Sequence, residues 1–562
     1  MRSSRGTSYL RIAGQGLLTL MLVAGLTAQI PETRPRIGVP DDWSHHRVRF
    51  SSVVLRQHPE LMREPRAAMQ LYRESIQQAR ALLQRSLGPS PALTAVSAQH
   101  RDWSVALGSG RIQFGQYPAK WNADPTAAPS CTTDYVVMAL NVPGVTGGQP
   151  SIVGLNNLYA GGTNPLCAGL QPNFLFSYNT NTTPTAAAGR ILTSPVLSLD
   201  GKKVAFIETS LVAGQHTSVL HVLNIPTSGS QVTAIPASLP PGGAMSSTTL
   251  AAFSNQRSSM FVDYNTDTGY VGLDDGRVYK ITGVFNGTPK VAGAPWPVLT
   301  KLNAILSSPT IDPVTGQLFI GSGAGVLYTF NINSPPATAT AIQIGRVGGL
   351  NSGILDAPIL DATGTSVFVI TSNSSTLTGA AVVQVSETSP FSILSSAYIG
   401  LGSSGGTSVN LYDGDFDNAY FNNPATGHML VCGTNTTDTT PYRYLMGFDG
   451  AGNIQPVTGV SLATSTAARC GPVTDYFNPN LGAGGTDFFF WSVTRNCTGF
   501  GNNGCVMALA NGSTLTTAQE VGGASGILID NDYVAQGGGS SIYFSTEGVP
   551  LNAVKLTQQG LQ

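Results

Sequence analysis

The sequence predicts an all-β protein built as one ring of small sheets, and three observations carry that prediction. A pattern of strand, turn, strand, Gly-rich turn and strand recurs along the chain. The 562 residues include 65 Gly and 35 Pro, as many short strands and turns require. Only one stretch has convincing helical periodicity. Hydrophobic residues make up 41%, enough for a large core and too many for a disordered chain, while charged residues are only 10%.

The recurring pattern is clearest in residues 307–330, SSPTIDPVTGQLFIGSGAGVLYTF, and residues 258–281, SSMFVDYNTDTGYVGLDDGRVYKI. Aligned on the double serine, both run through an apolar strand ending in Asp, a Thr-Gly turn, a strand closing on Gly, and a strand with Tyr. Related forms are SPVLSLDGKKVAFIE (194–208), APILDATGTSVFVIT (357–371) and NAYFNNPATGHMLVCG (418–433). Weaker ones lie at 471–493 and 525–546, and residues 134–178 have the same strand content. The anchors near 134, 195, 260, 309, 358, 419, 472 and 526 are 49–65 residues apart.

Multi-stranded repeats of about 40–50 residues mark a β-propeller. One small twisted sheet covers neither of its apolar faces, whereas a ring of them covers all the faces and leaves few edges. The anchors predict a single β-propeller of eight blades over residues 102–562, with seven as the alternative if one end segment pairs differently. The isolated strand DWSVALG (102–108) is placed to complete the last blade, whose third strand is NAVKLTQ (552–558).

Residues 1–28 read as a signal peptide. Arg2, Arg5 and Arg11 precede the apolar run 16–26, and Thr27-Ala28 offers a cleavage point. That run is shorter than the roughly 20 residues of a membrane span. A secreted or periplasmic protein with no span in the mature chain is expected. No cysteine precedes Cys131, so the sequence offers no lipid attachment at the cleavage point.

Residues 29–101 form a Pro-rich lead-in followed by an amphipathic helix over 65–87. There Met69, Tyr72, Ile76, Ala79 and Leu83 recur every three or four positions, and Gly88-Pro89 ends the run. Charge is lopsided: residues 1–120 hold 16 Lys/Arg against 7 Asp/Glu, and residues 121–562 hold 13 against 23. The basic front part reads as a solvated helix, with docking on an acidic surface, including that of its own body, as the alternative. An acidic, Thr/Asn-rich body argues against nucleic acid, which needs clustered positive charge.

Six cysteines suit an exported protein, and neighbours are expected to pair: Cys131–Cys167, Cys432–Cys470 and Cys497–Cys505. None of the spacings is a tetrahedral zinc pattern.

The form S-P-x-[IL]-D…TG-x-[LVF]-[FY]-[IV]-G-S…G-x-[LV]-Y resembles the repeat of the pyrroloquinoline-quinone-type (PQQ-like) β-propellers. That group includes quinoprotein dehydrogenases and the propeller lipoprotein of outer-membrane barrel assembly. The resemblance is strong over 194–330 and 356–386. Over 39–562 the chain is similar to secreted bacterial proteins of no established activity. These carry VPDDWSHH near the start, DWSVALG before the first blade, and SPVLSLDG and SGILIDN later.

The resemblance implies quinone chemistry only if the quinone machinery is present. Those enzymes dock blades with recurring Trp, hold the quinone against an adjacent Cys-Cys pair in many cases, and bind calcium. Here the five Trp (43, 103, 121, 296, 491) have no period, and no two cysteines are adjacent. Neither the HExxH motif nor a P-loop is present. Of the seven His, only His216, His221 and His428 fall within the repeats, and all three read as ordinary strand residues.

Two acidic trios invite a metal reading. Asp413, Asp415 and Asp417 alternate, so they share one face of an extended strand or converge in a loop on calcium; apart from that ion no cofactor is expected. Asp263, Asn265 and Asp267 read as turn residues bonding their own backbone. The dipeptide His45-His46 reads as structural, with Trp43 and Phe50 packing the tail onto the ring.

The function expected is a monomeric, non-catalytic scaffold that binds a protein or glycan on one rim through loops such as 141–150, 160–172, 433–443 and 495–505. The alternatives are an enzyme at the central channel, quinone-dependent or hydrolytic, and an envelope assembly factor. Dense carboxylates, His or Arg along the channel would point to chemistry there.

Overall fold

A computed structural model describes residues 38–558, apart from 87–99, 126–127, 163–164, 181–186, 213–214, 228–234, 237–244, 253–256, 347–352, 365, 404–407, 480, 482–483 and 532–539. The expected signal peptide therefore lies outside the described residues.

The chain is an eight-bladed β-propeller. Strand order within each blade follows the sequence, and the first strands are Ala119–Asn122, Val196–Leu197, Phe261–Asp263, Thr310–Ile311, Ile359–Asp361, Asp415–Phe416, Thr474–Asn478 and Leu528–Asp530. Blade 8 continues through Ser541–Ser545 and Asn552–Thr557, and its outermost strand is His100–Ala106, supplied from before blade 1. That strand runs antiparallel to Asn552–Thr557, with Val105 opposite Ala553 and a bulge between Arg101 and Trp103.

The recurring serines turn out to be latches between blades. Ser194 Oγ accepts from Tyr117 N–H at 2.9 Å, Ser259 Oγ from Ser194 N–H at 2.8 Å, and Ser308 Oγ from Ser259 N–H at 2.8 Å. The circle continues with Thr310 Oγ1 donating to the Pro358 carbonyl at 2.7 Å and Asp413 N–H to Asp356 Oδ2 at 3.4 Å. Val473 N–H reaches the Asp413 carbonyl (3.0 Å), Thr474 Oγ1 the Ile527 carbonyl (2.9 Å), and Gly526 N–H the Gln116 carbonyl (2.9 Å). Each inner strand is thereby tied to the next all the way round. These bonds give partners to N–H groups that would otherwise be buried unpaired.

Outside this girdle the blades meet through apolar faces. In blade 4, Leu318, Ile320 and Leu327 are fully buried and Tyr328 nearly so. Full burial of such side chains contributes about 1.5–3 kcal/mol each. In blades 3, 4 and 5 an Asp at the end of the first strand closes the turn: Asp312 accepts from Val314 and Thr315 N–H at 2.9 and 2.8 Å. Gly316 follows at φ 72°, a conformation that favours glycine.

The three disulfides join Cys131–Cys167, Cys432–Cys470 and Cys497–Cys505, with Cα separations of 5.7, 6.1 and 6.0 Å. The long helix runs Pro65–Ser86. One repeat differs from its expected form. The stretch beginning at Asn418 is a short helix, Asn418–Asn422, and the first strand of blade 6 lies just before it. Asp417 caps that helix, its side chain accepting from Tyr420 N–H at 3.0 Å, which makes helix the better-satisfied choice.

Candidate functional site

The centre of the ring is filled by the chain's own lead-in. Val39–Asp41 pairs antiparallel with the first strand of blade 1, Asp41 opposite Lys120. Val48–Arg49 pairs in parallel with the first strand of blade 5, where Leu360 N–H reaches the Arg47 carbonyl at 2.8 Å and Ala362 N–H the Arg49 carbonyl at 2.9 Å. Between them Trp43–His46 forms a single 3-10 turn capped by Asp42, whose Oδ1 accepts from Ser44 N–H at 3.0 Å and Ser44 Oγ at 2.7 Å. Trp43 and Phe50 are 2% and 1% exposed, and Trp43 meets the edge of Phe261. This is what the VPDDWSHH stretch is for: it threads and turns inside the ring.

Two period-two patterns meet there. Alternate residues of an extended chain share a face, so Arg47 and Arg49 confront Asp413 and Asp415. Arg47 Nε lies 2.7 Å from Asp413 Oδ2, and its Nη2 is 3.5 Å from Asp356. Arg49 lies 3.7 Å from both Asp415 and Asp475. Arg66, at the start of the long helix, stacks over Phe261 and Tyr264 with its guanidinium carbon 4.3 and 4.7 Å from the ring centres. The basic front part is therefore docked on its own acidic body, and the reading of a solvated helix is corrected.

Burial dominates the electrostatics. It pushes the Asp413 carboxyl well above the ordinary range despite Arg47. Asp475 is raised in the same way by burial, then by Asp487 and Asp415. Asp487, beside them, is pushed up to about 7, mainly by burial. Burial also opposes ionisation of Asp41, yet Arg73 and His46 hold its carboxyl below the ordinary range.

The members of the alternating trio have separate partners. Asp413 and Asp415 face arginines, and Asp417 caps a helix while bonding His428 Nδ1 at 2.9 Å. Among the described residues no group of three His, Cys, Asp or Glu side chains is arranged to hold a metal ion. At 263–267 the carboxylates bond the turn: Asp263 accepts from Asn265 N–H, and Asp267 from Phe285 and Asn286 N–H. His221 is buried with Nδ1 2.8 Å from Ser247 Oγ, and His216 is exposed on the same strand.

A pocket of about 170 Å³ lies at one mouth of the channel. One face of the long helix (Arg66, Gln70, Arg73, Glu74, Gln77) forms one wall. Asn418 and Phe421 of blade 6 with Asp475, Tyr476 and Phe477 of blade 7 form the other. Asp41 and His46 lie at its base, 3.5 Å apart. Sequence reasoning names Asp41 only as a neighbour of His45-His46 and does not single out Arg47, Arg49, Arg73 or Asp475. The visible signals are the opposite charges of the front and body, and an Arg-x-Arg spacing that matches Asp-x-Asp.

No family model and no curated protein matches the chain. Solved structures similar to it include BamB from Moraxella catarrhalis (9% identity, TM-score 0.42, covering 82% of this chain and 99% of that one). Another is Sqt1 of Saccharomyces cerevisiae (9%, 0.47, 82% and 100%). A third is prolyl oligopeptidase B from Galerina marginata (11%, 0.36, 79% and 55%), captured with a hydrolysis and macrocyclization substrate. Likeness at this level decides nothing about function. Among the described residues no helix is long and apolar enough to cross a membrane.

Proposed function

We propose that the protein is an exported, non-catalytic scaffold of the PQQ-like repeat type that holds a protein or glycan partner at one end of its ring. One observation carries the reading. The axis, where a ring enzyme would hold cofactor and substrate, is occupied by residues 39–49, and the charges along it are answered by one another. The dense carboxylates and arginines of the channel thus serve docking of the lead-in. The mouth pocket and the loops around it are left to meet a partner. The partner's contact is a side chain or a sugar end entering between the long helix and blades 6 and 7. Export is supported by cysteines that are all paired, as an oxidising compartment favours.

A second reading, an enzyme, is favoured by the His46–Asp41 pair at the base of the pocket. Thermal unfolding separates the two, because a ligand bound only by the folded state must raise the melting temperature. Titration with pyrroloquinoline quinone and calcium, together and apart, is expected to leave the melting temperature unchanged. A saturable rise with either would reverse the proposal in favour of channel chemistry.

A further inference from the structure

We infer that Lys555 and Asp102 condense to an isopeptide bond that closes the ring covalently. The two side chains sit on the seam between the first and last strands, and Lys555 Nζ lies 2.9 Å from Asp102 Oδ2. The bulge between Arg101 and Trp103 sets two residues against Lys555 and so turns Asp102 towards it. Neither group reaches solvent: Lys555 is 0% exposed, and the Asp102 side chain 3%. The surroundings are aromatic, with Lys555 Nζ 5.4 Å from the ring centre of Tyr159 and Trp103 against Tyr543.

A buried ion pair is expensive to keep, because desolvation opposes both charges. Burial lowers the Lys555 amine's affinity for its proton, with Asp102 and Asp530 pulling the other way. Passing that proton to Asp102 leaves a neutral amine in contact with a neutral carboxyl group. The amine lone pair then attacks Asp102 Cγ, forming the C–N bond. One N–H proton moves to the departing hydroxyl, one water leaves, and the amide remains with no net change in oxidation state. Asp530 is a second carboxylate whose charge acts on the Lys555 amine. It is fully buried, 3.2 Å from Lys120 Nζ, and accepts from Tyr543 O–H at 3.3 Å. Thr557 Oγ1 donates to Asp102 Oδ2 at 2.6 Å, on the oxygen that must depart or carry charge. Holding amine and carboxyl in contact gives an effective concentration of order 10⁵ M or more, and the dry site disfavours the reverse hydrolysis.

The test is the mass of the full, purified chain after reduction and denaturation. The expected result is a mass lower than the mature sequence by one water, about 18 Da, with residues 102 and 555 recovered in one branched peptide after digestion. Lys555→Arg restores the full mass, and Asp102→Asn still links but by loss of ammonia, about 17 Da. A wild-type mass equal to the sequence, with the two peptides separate, overturns the inference and leaves an ion pair. The wild-type measurement decides the matter even if a variant fails to fold.

Discussion

The N-terminal chain joins the ring at two places, and different physics holds it at each. In the channel, Val39–Asp41 and Val48–Arg49 make ladders of three and two residue pairs, and guanidinium–carboxylate pairs add the rest. At the seam, His100–Ala106 makes six pairs with Asn552–Thr557, and Trp103 and Val105 are buried beneath them. The channel contact is therefore specific mainly through charge, and the seam mainly through backbone and apolar area, with the one Lys555–Asp102 contact between them. Removing the first should open the axis but leave a ring, whereas removing the second should leave no ring.

Deleting residues 100–106 gives the largest effect expected. Blade 8 would keep three strands and expose an apolar edge, so cooperative urea unfolding should disappear. A variant that still unfolds in one sharp transition would show that the seam strand is dispensable. In the channel, Arg47→Ala comes next. It strands Asp413 and Asp356 in a dry site and should cost about 3–5 kcal/mol by denaturant midpoint. Arg49→Ala should cost less than Arg47→Ala, since its partners lie 3.7 Å away and the side chain is 19% exposed. Equal losses at the two arginines would count against the unequal geometry.

A different kind of effect, a slope with pH and not a loss at one pH, sits away from both the channel and the seam, between blades 4 and 5. Burial, with Asp312 beside it, pushes Glu387 from its ordinary 4.5 up to about 9. Above its unfolded value the open chain releases this proton while the folded chain keeps it. Stability should therefore fall as pH rises from 4.5 to about 9 and then level off. Glu387→Gln should flatten that slope in melting experiments across the range. An unchanged slope would place the proton elsewhere.

Much of the ring could be read from residues alone, because a repeat that must bury both faces repeats its turn chemistry too. The turns at Asp312 and Asp263, the blade spacing and the three disulfides belong to that class. Where the repeat is interrupted, local signals compete. Asp417 reads in the sequence as part of an acidic trio and is a helix cap, and Lys120 lies on a first strand that carries no repeat signature. The pocket was illegible for a different reason. It joins residues 41–77 to residues 418–477, a pairing that exists only once the lead-in turns back into the ring. Period-two charge spacing shows which residues share a face but not which strand faces them.

A double-mutant cycle between Arg47 and Asp413 tests the filled channel most directly. With the lead-in in place, Arg47→Ala and Asp413→Ala should each destabilise strongly. The double variant should then cost less than their sum by about 0.5–3 kcal/mol. Losses that add within about 0.3–0.5 kcal/mol would mean that the two side chains do not meet, and that the axis is open.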